Sequence, residues 1–184
     1  EQGGLFSLDS GSLTTTGGAS NAGVVNVALG ATGRYGGSAT YLLDATGQFD
    51  GGGRIEFINS AQVTNSSTAP LIADNTFTVR VQDSARFTLS TPGAIANLEL
   101  AGSGQVIALA GLQAGTLLQT GGTLTLNAAS GAGTYNWNGG TLAGPSTFSI
   151  VGGGSWTRGT LTGNLVIANG ASLTLIGTGS DDVQ

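Results

Sequence analysis

Six four-residue phrases alternate polar and apolar residues twice over: "RIEF" from Arg54, "TFTV" from Thr76, "NLEL" from Asn97, "TLTL" from Thr123, "TFSI" from Thr147 and "SLTL" from Ser172. Their starts recur at intervals of about 21–26 residues. Period-two alternation puts successive side chains on opposite faces of a strand, so each phrase reads as a strand with one buried face. After each phrase comes a short turn and a second strand-like phrase, as in "INSA" then "QVTN" or "AGSG" then "QVIAL". A third apolar element closes each unit less regularly: Leu71–Ile72, Ile95, Leu117–Leu118, Leu142, and Leu161 with Leu165–Ile167. Three short strands per coil of about 21–26 residues, with small residues at the corners, predict an all-β fold, a parallel β-helix or β-solenoid.

The physics of such a fold is specific. One coil cannot bury its own apolar face, but stacked coils bury a continuous core. The pattern sends Ile55/Phe57, Phe77/Val79, Leu98/Leu100, Leu124/Leu126, Phe148/Ile150 and Leu173/Leu175 inward. Arg54/Glu56, Thr76/Thr78, Asn97/Glu99, Thr123/Thr125, Thr147/Ser149 and Ser172/Thr174 face out, and a one-residue slip would exchange the two sets. Residues 67–75 and 90–96, each with one of the three prolines, read as corner bulges. Residues 54–184 form the regular coils; residues 1–53 form one or two less regular ones, with strands at 24–29, 39–43 and 48–50.

Composition removes the competing classes. Helix lacks an i, i+3, i+4 pattern, and 34 glycines punctuate the chain at roughly 1 kcal/mol each within a helix. An apolar fraction of 39% with only 8% charged residues separates it from disordered chains. The net charge is −5 and the five cations are scattered arginines, so no phosphate-tracking stripe exists and nucleic acid is not an expected partner. No apolar run approaches the roughly 18 residues of a membrane span. The opening Glu1 shows no basic leader, which suggests a mature product or a piece of a longer chain.

The phrases "TYNWNGGTLAG", "SWTRGTLTG", "GGTLTLNAASG" and "NGASLTLIG" resemble those of large exported bacterial repeat proteins, namely filamentous-haemagglutinin-like adhesins and autotransporter passenger domains. The resemblance is densest over residues 97–180 and extends back to 54. It implies a right-handed parallel β-helix, a secreted or cell-surface location in a bacterium, and a stalk, attachment or biofilm role. It carries over no catalytic residue, because these families share none.

Without His or Cys, triads, thiol dyads and the usual zinc sets are excluded. Glu56 and Glu99 share one outward face two coils apart, roughly 10 Å, close to the carboxylate spacing of an inverting glycosidase. The intervening Thr76/Thr78 offers no aromatic to stack a sugar, so a solvated face is the preferred reading and catalysis the minor one. The remaining candidates for a glycan or partner contact are Arg80, Asp83 and Arg86 in "RVQDSAR", and the aromatics Tyr135, Trp137 and Trp156. The plainer readings, a corner ion pair for the first trio and a core stack for the second, are preferred. Trp137 recurs as Trp156 within a second "GTL" phrase. Alignment on "GTL" stacks the two indoles, whereas alignment on the preceding rung puts Tyr135 against Trp156. "GTGSDD" (177–182) is a single fragment of a calcium-binding repeat that needs tandem copies, and the Thr pairs are too interrupted for an ice-binding ladder. No metal or cofactor is expected. The expected partners are a host or bacterial surface component, a polysaccharide, or further copies joined through solenoid ends, since "EQGG" and "SDDVQ" provide no amphipathic cap.

Overall fold

The structure is a computed structural model that describes residues 5–69, 71 and 76–177. Among these residues there is no helix, and every strand pairing is parallel. Nine coils follow one another along the chain. The first holds β1 (Leu5–Leu8), β2 (Ser12–Thr15) and β3 (Ala19–Asn21); the second β4 (Val24–Val27), β5 (Thr32–Tyr35) and β6 (Thr40–Leu43). The third holds β7 (Gln48–Asp50), β8 (Arg54–Phe57) and β9 (Gln62–Asn65); the fourth β10 (Thr78–Val81) and β11 (Arg86–Leu89). From the fifth onward strands run around corners: β12 (Gly93–Leu100) precedes β13 (Gln105–Ala108), and β14 (Leu112–Leu126) and β15 (Ser130–Ala143) are each a whole coil. The eighth holds β16 (Thr147–Trp156) and β17 (Thr160–Leu161), and the ninth β18 (Asn164–Ile167) and β19 (Ser172–Leu175).

Coils one to three and five to eight place a strand on each of three faces; the described residues of the fourth coil place strands on the second and third, and those of the ninth on the first and second. On the second face the inward residues align through all nine coils as Leu13, Gly33, Ile55, Val79, Leu98, Leu117, Tyr135, Gly154 and Leu173. The third face aligns Ala19, Tyr41, Val63, Phe87, Val106, Leu124, Leu142 and Leu161. Ten of the twelve residues expected inside are buried. Leu173 is partly covered and Leu175 exposed, because no described coil lies above them. The stack crosses residue 53 without a break, Thr32 pairing with Arg54.

The coil, however, is shorter than the spacing of the phrases suggests, and the six phrases do not share one face. "RIEF", "NLEL" and "SLTL" lie on the second face, but Thr123–Leu126 pairs with β13 on the third, and Thr147–Ile150 with Asn164–Ile167 on the first. "TFTV" begins two residues early, since Thr78 is the partner of Arg54. Register on the second face runs through Ser12, Thr32, Arg54, Thr78, Asn97, Thr116, Thr134, Gly153 and Ser172. The coils are therefore roughly 18–24 residues long, and most fall at the short end of that range. All three faces bury alternate residues, so alternation marks a strand without saying which face it occupies. The stretch 90–96 is likewise no bulge: Gly93 and Ile95 pair with Leu112 and Ala114. Part of 67–75 lies outside the described residues, but Leu71 is buried and its carbonyl accepts from Phe49 N.

Candidate functional site

Correct register brings together charges that the sequence reading kept apart. On the outward second face Arg34, Glu56, Arg80 and Glu99 occupy one row in four successive coils. Parallel rungs repeat about every 4.8 Å, so opposite charges alternate at side-chain reach. Arg34 Nε lies 2.7 Å from Glu56 Oε2, and Arg80 Nε lies 3.8 Å from Glu99 Oε2. From the adjoining row Arg54 reaches both carboxylates, at 3.6 Å from Glu56 Oε1 and 3.0 Å from Glu99 Oε1. All four carboxylate oxygens therefore face a guanidinium. Glu56 is buried by this cover, which corrects its assignment as a solvent-facing residue. One oxygen of each glutamate accepts a hydrogen bond from a guanidinium, Glu56 Oε2 from Arg34 and Glu99 Oε1 from Arg54, and the other lies 3.6–3.8 Å from one. The missed signal was "TVRV": aligning Arg80, instead of Thr76 or Thr78, with Glu56 and Glu99 completes the alternation.

Arg80, Asp83 and Arg86 do not form one cluster. Arg80 belongs to the ladder, whereas Arg86 starts the third face and donates to Gln105 Oε1 at 3.1 and 3.3 Å. Asp83 sits at the corner between them with φ 56°, where its carboxylate accepts from Asn59 N at 3.2 Å. Among the described residues Asp83 makes no ion pair with either arginine. Asp residues tolerate the left-handed region better than most, so its place is a backbone one.

The aromatic trio is a core stack. Tyr135 and Trp137 are fully buried, so neither offers a ring face to a glycan or partner. Their rings stack at 5.5 Å, and Trp137 stacks on the partly exposed Trp156 at 4.5 Å, as alignment on "GTL" requires. Their polar atoms are satisfied inside. Trp137 Nε1 donates to Gly139 O at 2.9 Å, and the Tyr135 hydroxyl donates to Gln119 Oε1 at 2.6 Å. Gln119 in turn donates to Thr141 O at 3.0 Å. This inward amide, in the column that holds Leu100 below and Trp137 above, was not foreseen; "TLLQT" breaks the alternation where it sits. Burial pushes the Tyr135 phenol well above its ordinary value. Outward, Asn136 and Asn138 accept from Ser155 and Thr157 of the next coil.

At the other end of the stack a cavity of about 40 Å³ is walled by Tyr35, Tyr41, Phe49, Phe57 and Val63. Burial, and then the neighbouring Tyr41, push the Tyr35 phenol up to about 12. The lining is mainly apolar, so the space suits a methyl-sized group better than a water.

The Thr pairs are dispersed further than expected. Thr123/Thr125 are on the third face, Thr147/Ser149 on the first and Ser172/Thr174 on the second, so they form no common rank. Among the described residues no three His, Cys, Asp or Glu converge as a metal site, and no helix is long and apolar enough to cross a membrane. Residues 178–182 of the calcium-repeat fragment lie outside the described residues. The chain matches no family model, no curated protein and no solved structure.

Proposed function

We propose that this chain is a non-catalytic structural or adhesive β-solenoid segment of an exported bacterial cell-surface protein. The observation that carries the reading is that the acids and bases of the outward face, the groups a catalyst would use, are engaged with one another between coils. Arg34, Glu56, Arg54, Glu99 and Arg80 clamp four rungs of the stack, and each glutamate of the ladder is ion-paired to two arginines. Phrases such as "TYNWNGGTLAG" support the bacterial surface assignment by resemblance. Such a scaffold projects its partner contacts away from the surface that carries it. The contacting partner on this reading is a surface component, protein or polysaccharide.

The test is display of residues 1–184 on a non-adherent bacterium, beside a spacer of equal length, with attachment scored on cells and on a glycan array. Attachment above the spacer supports an adhesive segment, and spacer-like behaviour a stalk. Release of reducing ends from a polysaccharide panel by the purified chain would overturn both in favour of a carbohydrate-active solenoid.

A further inference from the structure

Two of the chain's asparagines precede glycine, Asn138–Gly139 and Asn169–Gly170, and both pairs lie in phrases that mark the repeat. Such a pair carries its own nucleophile. No side chain on the glycine shields its nitrogen, which can attack the asparagine amide carbon wherever the joining peptide is free to turn. The fold treats the two pairs in opposite ways. Gly139 is buried and is the ladder partner of Thr120. The Asn138 side-chain oxygen accepts from Thr157 Oγ1 at 3.1 Å, and its carbonyl accepts from Arg158 Nε at 2.8 Å. Rotation of that peptide would break both bonds and the ladder with them.

Asn169 and Gly170 form the centre of the turn that joins the first and second faces of the ninth coil. Ala171 N donates to Ala168 O at 3.0 Å across it, and Gly170 has φ 83°, as in a type II turn. Both residues are exposed, and a Cβ on Gly170 would meet nothing within 4 Å. Among the described residues neither the Asn169 side chain nor the peptide that joins it to Gly170 makes a hydrogen bond. The turn fixes its ends and leaves its central peptide free. Stacking of a further coil does not cover such a turn, as the second coil shows. Leu29 and Gly30 hold the same positions there, with the same φ at the glycine, between two described neighbouring coils. Leu29 is nevertheless 84% exposed, and the space beside Gly30 is open.

We propose that Asn169 is a site of spontaneous modification, converted in water to aspartate and isoaspartate while Asn138 is preserved. Hydroxide takes the proton of Gly170 N, the nitrogen bonds to Asn169 Cγ, and the Cγ–Nδ2 bond breaks with release of ammonia. Water then opens the cyclic imide at either carbonyl, giving aspartate or isoaspartate. The sum is asparagine and water in, acid and ammonia out. The product puts a carboxylate on residues 159–177, a stretch that carries no charge, and the isoaspartate form lengthens the corner by one methylene. This inference rests on one turn and is read by mass, so it stands apart from the surface role proposed above.

The test incubates residues 1–184 at mildly alkaline pH and follows tryptic peptides by mass against an unincubated sample. An isoaspartyl methyltransferase with a labelled methyl donor gives a second readout. Cleavage at Arg158 puts Asn169 on peptide 159–184 and Asn138 on peptide 87–158. In the folded chain peptide 159–184 is expected to gain the deamidation mass at least about tenfold faster, since two hydrogen bonds hold Asn138. In urea strong enough to remove the β circular-dichroism spectrum, the two pairs are expected to react at similar rates, because the difference belongs to the fold. Asn169→Gln is expected to abolish the change in peptide 159–184, since the larger ring it requires closes far more slowly. Equal rates in the folded chain overturn the proposal. So does a peptide 159–184 that keeps its mass, a mass gain that survives Asn169→Gln, or a difference between the pairs that persists in urea.

Discussion

Coils one to four and coils five to eight bury the same three-faced core but turn their corners differently. In coils one to three the first and second faces are joined by three or four residues, 9–11, 28–31 and 51–53, and the second-face rungs of coils one to four begin at Ser12, Thr32, Arg54 and Thr78. In coils five to seven that corner is one residue, Ala96, Gly115 or Gly133, and in the eighth it is two, Val151 and Gly152; the rungs begin at Asn97, Thr116, Thr134 and Gly153. The later coils are the shorter ones. Such short corners leave no room. A Cβ on Gly115 would lie 2.7 Å from Ala96 O, one on Gly133 2.7 Å from Gly115 O, and one on Gly152 2.7 Å from Gly133 O. The outer surfaces differ too. The ion pairs among the described residues all clamp coils two to five, whereas residues 101–157 hold no charged residue. Tight glycine corners allow strands as long as the 15 residues of β14 to run from one face to the next.

The largest expected effect tests what the regions share. Val63 and Leu124 occupy one inward column on the third face, and Thr64 and Thr125 are their outward neighbours. Val63→Asp and Leu124→Asp should each unfold their region, since an unpaired carboxylate in an apolar stack costs several kcal/mol. Thr64→Asp and Thr125→Asp should stay within about 0.5 kcal/mol. Hydrogen exchange reads the two regions separately, and similar protection in the inward and outward variants would refute the assignment of faces.

Next comes the corner itself. Gly133→Ala should destabilise the later region by roughly 1–3 kcal/mol, because its methyl must displace a backbone carbonyl, not a yielding side chain. Gly133→Asn should be no better, since the obstacle is space and not torsion. Chemical denaturation checks both; an unchanged midpoint for Gly133→Ala would show that the late corners are looser than those distances imply.

These contrasts explain what the sequence could and could not reveal. Strands and their inward residues were legible because alternation is a local signal: Ile55, Phe77, Leu98, Leu124 and Phe148 are all buried. Face and register were not, because "TLTL" on the third face and "NLEL" on the second satisfy the same pattern. Two misplaced residues in "TFTV" then hid the charge ladder. The better ruler was the interval between Trp137 and Trp156, since it spans one coil with tight corners and compares like with like. Gln119 was hidden because an inward amide contradicts the pattern and is accommodated only through Tyr135 and Thr141, which arrive from the next coil.

A smaller effect should be confined to the early region. Glu56→Gln weakens its contacts with Arg34 and Arg54, and should cost about 1 kcal/mol at low salt, as partly covered pairs do. Added salt should narrow the gap between variant and parent, with faster exchange limited to coils two to five. If protection in β14 and β15 falls as much as in β5 and β8, the ladder supports the whole stack and the two regions are one cooperative unit.

The smallest effect separates two reasons for glycine. Gly30 closes the Ala28–Ala31 turn, in which Ala31 N donates to Ala28 O at 2.9 Å, and its φ of 83° is what the third position of a type II turn requires. A Cβ there would meet nothing within 4 Å. The constraint at Gly30 is therefore torsional, while at Gly133 it is spatial. Gly30→Ala should cost about 1 kcal/mol, the usual left-handed penalty of a side chain. Gly30→Asn should recover most of that, because Asn enters this region more readily. Melting of the Gly30 and Gly133 pairs side by side provides the check: Asn should rescue only the early corner. If Asn were as harmful as Ala at Gly30, the early turns would be as crowded as the late ones, and corner type would no longer distinguish the two regions.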